Sequence, residues 1–189
     1  MVDQLIQLDK ELLVFFNGLG SETYDFFWLF ITKQLNWTPF FLLLVYLTYK
    51  KVSIKKLGVI VLVLAGLVAF TDQMTNLVKY TVARPRPCNT EDIQALIRIV
   101  KCSPSLSFFS GHASNSTATM LFMFMVLRRY YKYAYLVFLF PLIFAYSRIY
   151  LTMHFPFDIL VGYCFGLLSG TLFYQIFLWI ERKYSDKLI

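Results

Sequence analysis

The chain holds two histidines, His112 and His154, and both sit in short polar stretches at the edges of apolar runs. His112 completes Ser110-Gly111-His112. His154 follows Ser147-Arg148 and precedes Asp158 by four positions. A third stretch, Lys79-Tyr80-Thr81-Val82-Ala83-Arg84-Pro85-Arg86-Pro87, closes another apolar run. Lys79, Arg86 and Arg148 bring positive charge, and three cations meeting two histidines suit an anionic ligand such as phosphate. Arginine supplies forked hydrogen bonds and lysine a compact charge. Ser110-Gly111-His112 opens a predicted helix, where free N–H groups favour an anion, and Gly111 lets the backbone approach closely. Such donors also stabilise charge on a phosphoryl group in transfer. On a helical turn, Asp158 can orient the His154 imidazole and raise its basicity. His154 is then the candidate nucleophile, forming a phosphohistidine. His112 is the candidate acid that protonates the leaving oxygen and the base that later activates water.

These groups are scattered in sequence, so helices must gather them. A membrane-spanning helix needs about 20 mostly apolar residues. The candidates are Tyr24–Tyr49, Leu57–Lys79, Gly111–Leu127, Tyr133–Met153 and Phe157–Ile180. Lys33, Gln34 and Asn36 interrupt the first, which predicts a kink or a re-entrant segment. Gly111–Leu127 is short for a span, Pro141 predicts a kink in the fourth, and Pro156 fits the first turn of the fifth. Before them, residues 4–16 read as an amphipathic helix, with Leu5, Leu8, Leu12, Phe15 and Phe16 at helical spacing. It either lies in the membrane interface or packs on the bundle, and the pattern leaves both open. The first fifteen residues carry Asp3, Asp9 and Glu11 and show no cationic start with an apolar core, so the spans themselves are expected to direct insertion.

The composition agrees. The chain of 189 residues is 58% hydrophobic and 15% charged, against roughly 25% charged in a soluble domain. Its net charge of +7 does not imply nucleic acid, because the basic residues lie in short groups between apolar runs. Lys50, Lys51, Lys55 and Lys56 form one group, Arg128, Arg129 and Lys132 a second, and Arg182, Lys183 and Lys187 a third. Together they hold ten of the 18 Lys and Arg. With five spans all three fall on one side, which the positive-inside rule makes cytoplasmic. The loop Tyr80–Ser110 and the turn Met153–Phe157 then face outward. The fold expected is all-α: a polytopic transmembrane bundle of about five spanning helices with an N-terminal amphipathic interfacial helix. Residues 1–189 form a single membrane-embedded domain with its motif core at 79–158.

The ordered pattern Lys-x6-Arg-Pro (Lys79 to Pro87), Ser-Gly-His (Ser110 to His112) and Ser-Arg-x5-His-x3-Asp (Ser147 to Asp158) resembles the type 2 phosphatidic acid phosphatase superfamily, which also contains vanadium haloperoxidases. The resemblance implies a metal-independent phosphatase of a lipid phosphate with a helical core. It implies His154 as nucleophile, Asp158 as its partner and His112 as acid and base. Lys79, Arg86, Ser110, Gly111 and Arg148 would bind phosphate. Two departures are visible. Phe109 stands where the family usually has proline, so a rigid turn is lost. Arg84-Pro85 duplicates the neighbouring Arg-Pro, and Arg84 is expected to be an auxiliary phosphate or headgroup contact.

The leading substrate on this reading is undecaprenyl (polyprenyl) diphosphate. Phosphatidylglycerophosphate, phosphatidate and lipid A phosphates are the alternatives, and a lipid phosphotransferase or a non-catalytic lipid binder are the other classes. The expected partners are the phosphorylated lipid and the bilayer, with no nucleic acid, no obligate protein partner evident and no cofactor or metal. The protein is placed in the inner or plasma membrane, multi-pass, with its site facing the periplasm or exterior. Asp72, Asn76 and Lys79 share one helix face, either as a polar wall leading to the site or as helix–helix hydrogen bonding. Ser114, Asn115, Ser116, Thr117 and Thr119 read as packing. Cys88 and Cys102 bracket an outward loop, where disulfides persist, and a bridge is predicted there. Cys164 is expected to pack.

Overall fold

The computed structural model describes residues 2–184 and contains, among them, eight α-helices and no β-strand. The long apolar runs become α4 (Ile54–Val82) and α8 (Pro156–Lys183), each long and apolar enough to cross a membrane. Ser53 opens α4 by accepting the Lys56 N–H at 3.3 Å. The chain leaves α4 at Ala83, whose φ of 52° is left-handed, and Pro85 disfavours a return to helix. Pro156 occupies the first turn of α8 as expected, where its missing N–H costs little. Asp158 accepts the Phe155 N–H at 2.9 Å and caps the same turn.

The short run becomes α6 (Gly111–Leu127), opened by the Ser110 oxygen, which accepts the Ala113 N–H at 3.3 Å. The fourth run differs from expectation. Its α-helix, α7, covers only Leu139–Tyr150, and a 3-10 segment, Ala134–Phe138, precedes it. Pro141 therefore falls in the first turn of α7, where it lacks a hydrogen bond to break, instead of kinking the middle of a longer helix. The first run is broken as predicted, into α2 (Asp25–Ile31), a 3-10 turn (Gln34–Trp37) and α3 (Thr38–Tyr49). The carbonyls released at the break are met by side chains: Asn36 donates to Phe30 O at 2.7 Å and Trp37 to Ile31 O at 2.8 Å.

Helices α6 and α8 pack most closely. Gly162, Gly166 and Gly170 form a stripe on α8 against Ser110, Ser114 and Ala118 of α6. A Cβ on Gly166 would lie 2.6 Å from Ser114 O, so only glycine permits this approach. Small residues at such spacing substitute close backbone contact for the hydrophobic drive that lipid does not provide. Ser114 and Thr117 are buried in this seam, as the packing reading expects, whereas Asn115, Ser116 and Thr119 border a cavity. Further along, Leu67, Met120, Phe122, Leu127 and Phe177 form the main core.

At that end of the bundle the basic groups meet. Lys51 lies 5.7 Å from the Tyr131 ring centre, Lys56 pairs with Glu181, and Arg129 reaches Glu181 at 3.4 Å. The loops after α3 and α6 thus join the end of α8, as the charge pattern predicts. Lys187 lies outside the described residues.

Helix α1 (Val2–Gly18) packs on the bundle by a face that the hydrophobic pattern did not select. Asp9, Leu13 and Asn17 are buried, while Leu5, Leu8 and Phe15 are exposed. Asn17 donates to Tyr150 O at 3.1 Å and accepts the Arg98 N–H at 2.7 Å. The outward faces of α3, α4, α7 and α8 are likewise apolar, through Leu42, Leu62, Leu142 and Leu168. Cys164 is exposed on α8 and does not pack in the core. An apolar exterior around buried polar residues is the arrangement that lipid solvent favours.

Candidate active site

The connection from α4 to α6 is long and carries the short helix α5 (Glu91–Gln94). It is tied to itself by the Cys88–Cys102 disulfide, with Cα atoms 5.7 Å apart, as the sequence predicts. Backbone bonds then tie its end to the exit of α4 and the start of α8: Ser107 N–H donates to Arg84 O at 2.8 Å, and Ser110 N–H to Asp158 O at 3.0 Å. Phe109 is buried, with its ring centre 5.1 Å from that of Phe165 on α8. Aromatic packing holds the loop where the family's proline turn is missing.

His154 lies in the turn between α7 and α8 and is fully buried. Its Nδ1 stands 3.4 Å from both Asp158 Oδ2 and Ser107 Oγ. Ser107 in turn donates to Asp158. The opposite ring nitrogen, Nε2, is buried without a hydrogen-bond partner among the described residues. Burial, the largest influence, pushes the imidazole's pKa down to about 4, outweighing the Asp158 carboxylate that raises it. His154 is therefore neutral at pH 7.

Among the described residues, Asp158 is the most heavily used carboxylate. Besides His154, Ser107 and the Phe155 N–H, it accepts Arg84 Nη1 at 2.8 Å. Arg84 Nη2 reaches Asp9 Oδ2 of α1 at 2.7 Å, and its guanidinium lies 3.8 Å from the Phe155 ring centre. The other Asp9 oxygen accepts the Phe157 N–H at 2.8 Å. This corrects the expectation for Arg84: its guanidinium is committed to two carboxylates and has little left for a phosphate or headgroup.

The other cations are presented differently. Arg86 is held by Met153 O at 2.7 Å and by Ser105, through its carbonyl and hydroxyl. Arg148 donates Nη1 to Thr32 Oγ1 at 2.5 Å, while its Nε is buried without a partner among the described residues. The Arg148 carbonyl accepts the Met153 and His154 N–H groups, so this cation and His154 share one turn. Lys79 has Arg86 and Arg148 among its electrostatic neighbours. With Gly111 and His112 it lines one end of a cavity of about 470 Å³. The Ser110 oxygen caps α6, which leaves its proton free to donate. A Cβ on Gly111 would stand 3.2 Å from Thr75 Cγ2, so a side chain there would crowd α4. The fold thus brings Lys79, Arg86, Ser110, Gly111, His112, Arg148, His154 and Asp158 to one end of the bundle.

Several polar contributors escape sequence reasoning. Ser107 lies in a run of alternating serines with no motif spacing to mark it. Asp9 looked like part of a solvated helix face. Thr32 and Ser105 hold arginines from segments that read only as a break and a loop. Asp72 accepts the Asn115 amide at 2.9 Å while lining the cavity with Asn76 and Lys79, so that face serves both readings given to it. Among the described residues, no group of three His, Cys, Asp or Glu side chains converges to hold a metal ion.

The family model of the PAP2 superfamily matches residues 56–182. A lipid A 4'-phosphatase of Bacteroides thetaiotaomicron is 33% identical over 180 residues, covering 93% of this chain and 80% of the relative. A lipid A 4'-phosphatase of Porphyromonas gingivalis is 25% identical over 97% of this chain and 78% of its own. Among solved structures, the PAP2-type phosphatidylglycerolphosphate phosphatase of Bacillus subtilis matches with a TM-score of 0.66 at 19% identity, over 98% of this chain and 88% of its own. Aquifex aeolicus LpxE matches with a TM-score of 0.61 at 23% identity, over 87% of this chain and 93% of its own. These two likenesses concern the fold.

Proposed function

The chain belongs to the PAP2 superfamily and is a membrane phosphatase, and on that premise we propose that it removes a phosphate from lipid A by way of a phosphohistidine on His154. The observation that carries the chemistry is the His154 ring itself: Nδ1 faces Asp158 and Ser107, and Nε2 is buried without a partner among the described residues. In the first step Nε2 attacks phosphorus. The bond from phosphorus to the lipid oxygen breaks, and His112 gives that oxygen a proton. The developing positive charge on His154 is stabilised by Asp158 across the ring. In the second step His112 takes a proton from water, the water oxygen attacks phosphorus, and the phosphorus–nitrogen bond breaks to release phosphate. Lys79, Arg86, Arg148, the Ser110 hydroxyl and the N–H groups opening α6 bind the phosphoryl oxygens throughout. Residues 1–189 act as one domain.

The substrate ranking from sequence changes. Nothing in the relatives favours polyprenyl diphosphate, which led that ranking. Two relatives that share most of the chain's length are named for lipid A, one of the alternatives. We further propose five spans: residues 25–49, α4, α6, residues 134–150 and α8. The basic end faces the cytoplasm and the site faces the periplasm. Helix α1 lies in the interface with its apolar side toward lipid, and its buried acid holds Arg84.

The test is phosphate release by the detergent-solubilised protein, with chelator present, from lipid A, phosphatidylglycerophosphate, phosphatidate and polyprenyl diphosphate. Release from lipid A above the others, lost in His154→Ala, is expected. Preference for another lipid would overturn the substrate. Phosphate moved to an acceptor without release would make the protein a transferase. Release undiminished in His154→Ala would remove the mechanism.

A further inference from the structure

The cavity beside His112 extends well beyond the room a phosphate needs. It runs from Lys79 between α3, α4, α6 and α7, and its polar lining includes Gln34, Asp72, Thr75, Asn76, Asn115 and Thr119. Asp72 lies seven residues before Lys79, about 10 Å deeper along α4 at the helical rise. A carboxylate at that depth in an apolar helix is costly unless something polar meets it. One partner is the Asn115 amide, at 2.9 Å. The same lining holds two further polar atoms, Thr75 Oγ1 and Asn115 Oδ1, that are buried with no hydrogen-bond partner among the described residues. Thr75 is 2% exposed. A buried polar atom without a partner calls for an explanation, and beside a cavity a ligand that reaches it supplies one.

The ligand's identity follows from its position. If His112 protonates the leaving oxygen, the leaving group must occupy the space next to His112, and that space is this cavity. On the premise of the phosphatase reading above, we infer that Asp72, Thr75 and Asn115 form a leaving-group subsite for a neutral sugar or similar headgroup bearing hydroxyl or amide N–H groups. Asp72 accepts from such a donor, and Thr75 Oγ1 and Asn115 Oδ1 gain the partners they lack. A diacylglycerol or prenyl leaving group offers no donor beyond the oxygen that His112 protonates, so Thr75 Oγ1 and Asn115 Oδ1 stay without partners and Asp72 keeps only Asn115. A leaving group that keeps a phosphate, as in a polyprenyl diphosphate, brings a second anion toward Asp72. The subsite therefore selects among lipids that share the same phosphoryl chemistry.

Two readouts test this. The first is the ratio of kcat/KM for lipid A to that for phosphatidate, in wild type, Asp72→Asn and Asn115→Ala. Asp72→Asn keeps the side-chain shape and can still bond Asn115. The ratio is expected to fall at least tenfold in either variant. An equal loss on both lipids would mean that the pair only joins α4 to α6 and would overturn the subsite. The second readout is inhibition by dephosphorylated lipid A of whichever lipid phosphate in the panel is hydrolysed. Wild type should be inhibited, and Asp72→Asn at least tenfold less. No inhibition of wild type would overturn the subsite. Inhibition of wild type without any release from phosphorylated lipid A would keep the subsite and overturn the lipid A substrate instead.

Discussion

The two histidines stand in opposite surroundings. His154 is buried in the turn before α8, with one nitrogen facing Asp158 and Ser107 and the other without a partner among the described residues. His112 is half-buried at the first turn of α6, with its ring centre 5.3 Å from that of Phe144, and it opens onto the cavity. One is held through Nδ1 by neighbouring side chains; the other lines the cavity that a leaving group would enter. A nucleophile benefits from a fixed tautomer and aim, whereas a proton donor must follow the leaving group and later admit water. The contrast supports the assignment of roles more strongly than motif order does, because identical side chains have been given different freedom.

Exchanging the two environments' functions is the strongest way to break this contrast. His154→Ala should lower kcat by at least about 10³-fold and abolish acid-labile labelling by radioactive substrate. His112→Ala should lose roughly 10²–10⁴-fold yet still form some labelled enzyme, since Nε2 of His154 remains. Labelled His154→Ala would invert the roles.

Next in size is the support behind His154. Arg84→Gln leaves the buried Asp9 and Asp158 without their shared cation. We expect kcat to fall roughly 10–100-fold with KM little changed, as when an orienting partner is removed. Arg84→Lys should restore part of it, and Asp9→Asn should act in the same direction more weakly. A change confined to KM would instead return Arg84 to substrate binding.

Packing and protonation give smaller effects. Gly166→Ala should cost about 1–3 kcal/mol by forcing α6 and α8 apart, read as a lower thermal midpoint in detergent. Acid should also weaken the fold through His154. Its folded-state pKa of about 4 lies below its ordinary value of 6.5, so between these limits the unfolded chain binds more protons. This contribution is absent above about pH 6.5 and destabilises progressively as pH falls toward 4. The drop in midpoint between pH 7 and 5 should be smaller in His154→Gln. An identical drop would show that the burial of His154 does not drive it.

Much of this was legible from residue types alone. The charge groups around Lys50, Arg128 and Arg182 predicted which loops share an end, and Lys51, Arg129 and Glu181 meet there. The breaks at Lys33 and the start at Pro156 followed from local backbone chemistry. The face of α1 did not. Its apolar pattern left interface and bundle both open; in the fold Leu5, Leu8 and Phe15 face outward and Asp9 turns inward to Arg84. Pro141 was misread because a proline's effect depends on where the helix begins.

The sequence by itself pointed to an all-helical membrane chain, the extent of its long helices, and a candidate anion site built from Lys79, Arg86, His112, Arg148, His154 and Asp158. Those are consequences of composition, period and local spacing, which act over a few turns of chain. Only the tertiary structure decided that Arg84 serves Asp158 instead of phosphate, that Ser107 and Asp9 belong to the site, and that Thr75 and Asn115 face an open cavity. Each of these contacts joins residues from different helices or loops. Which of many similar serines, threonines and arginines is used is fixed by the approach of α6 to α8 and the return of the loop onto α8, and no local pattern encodes that choice.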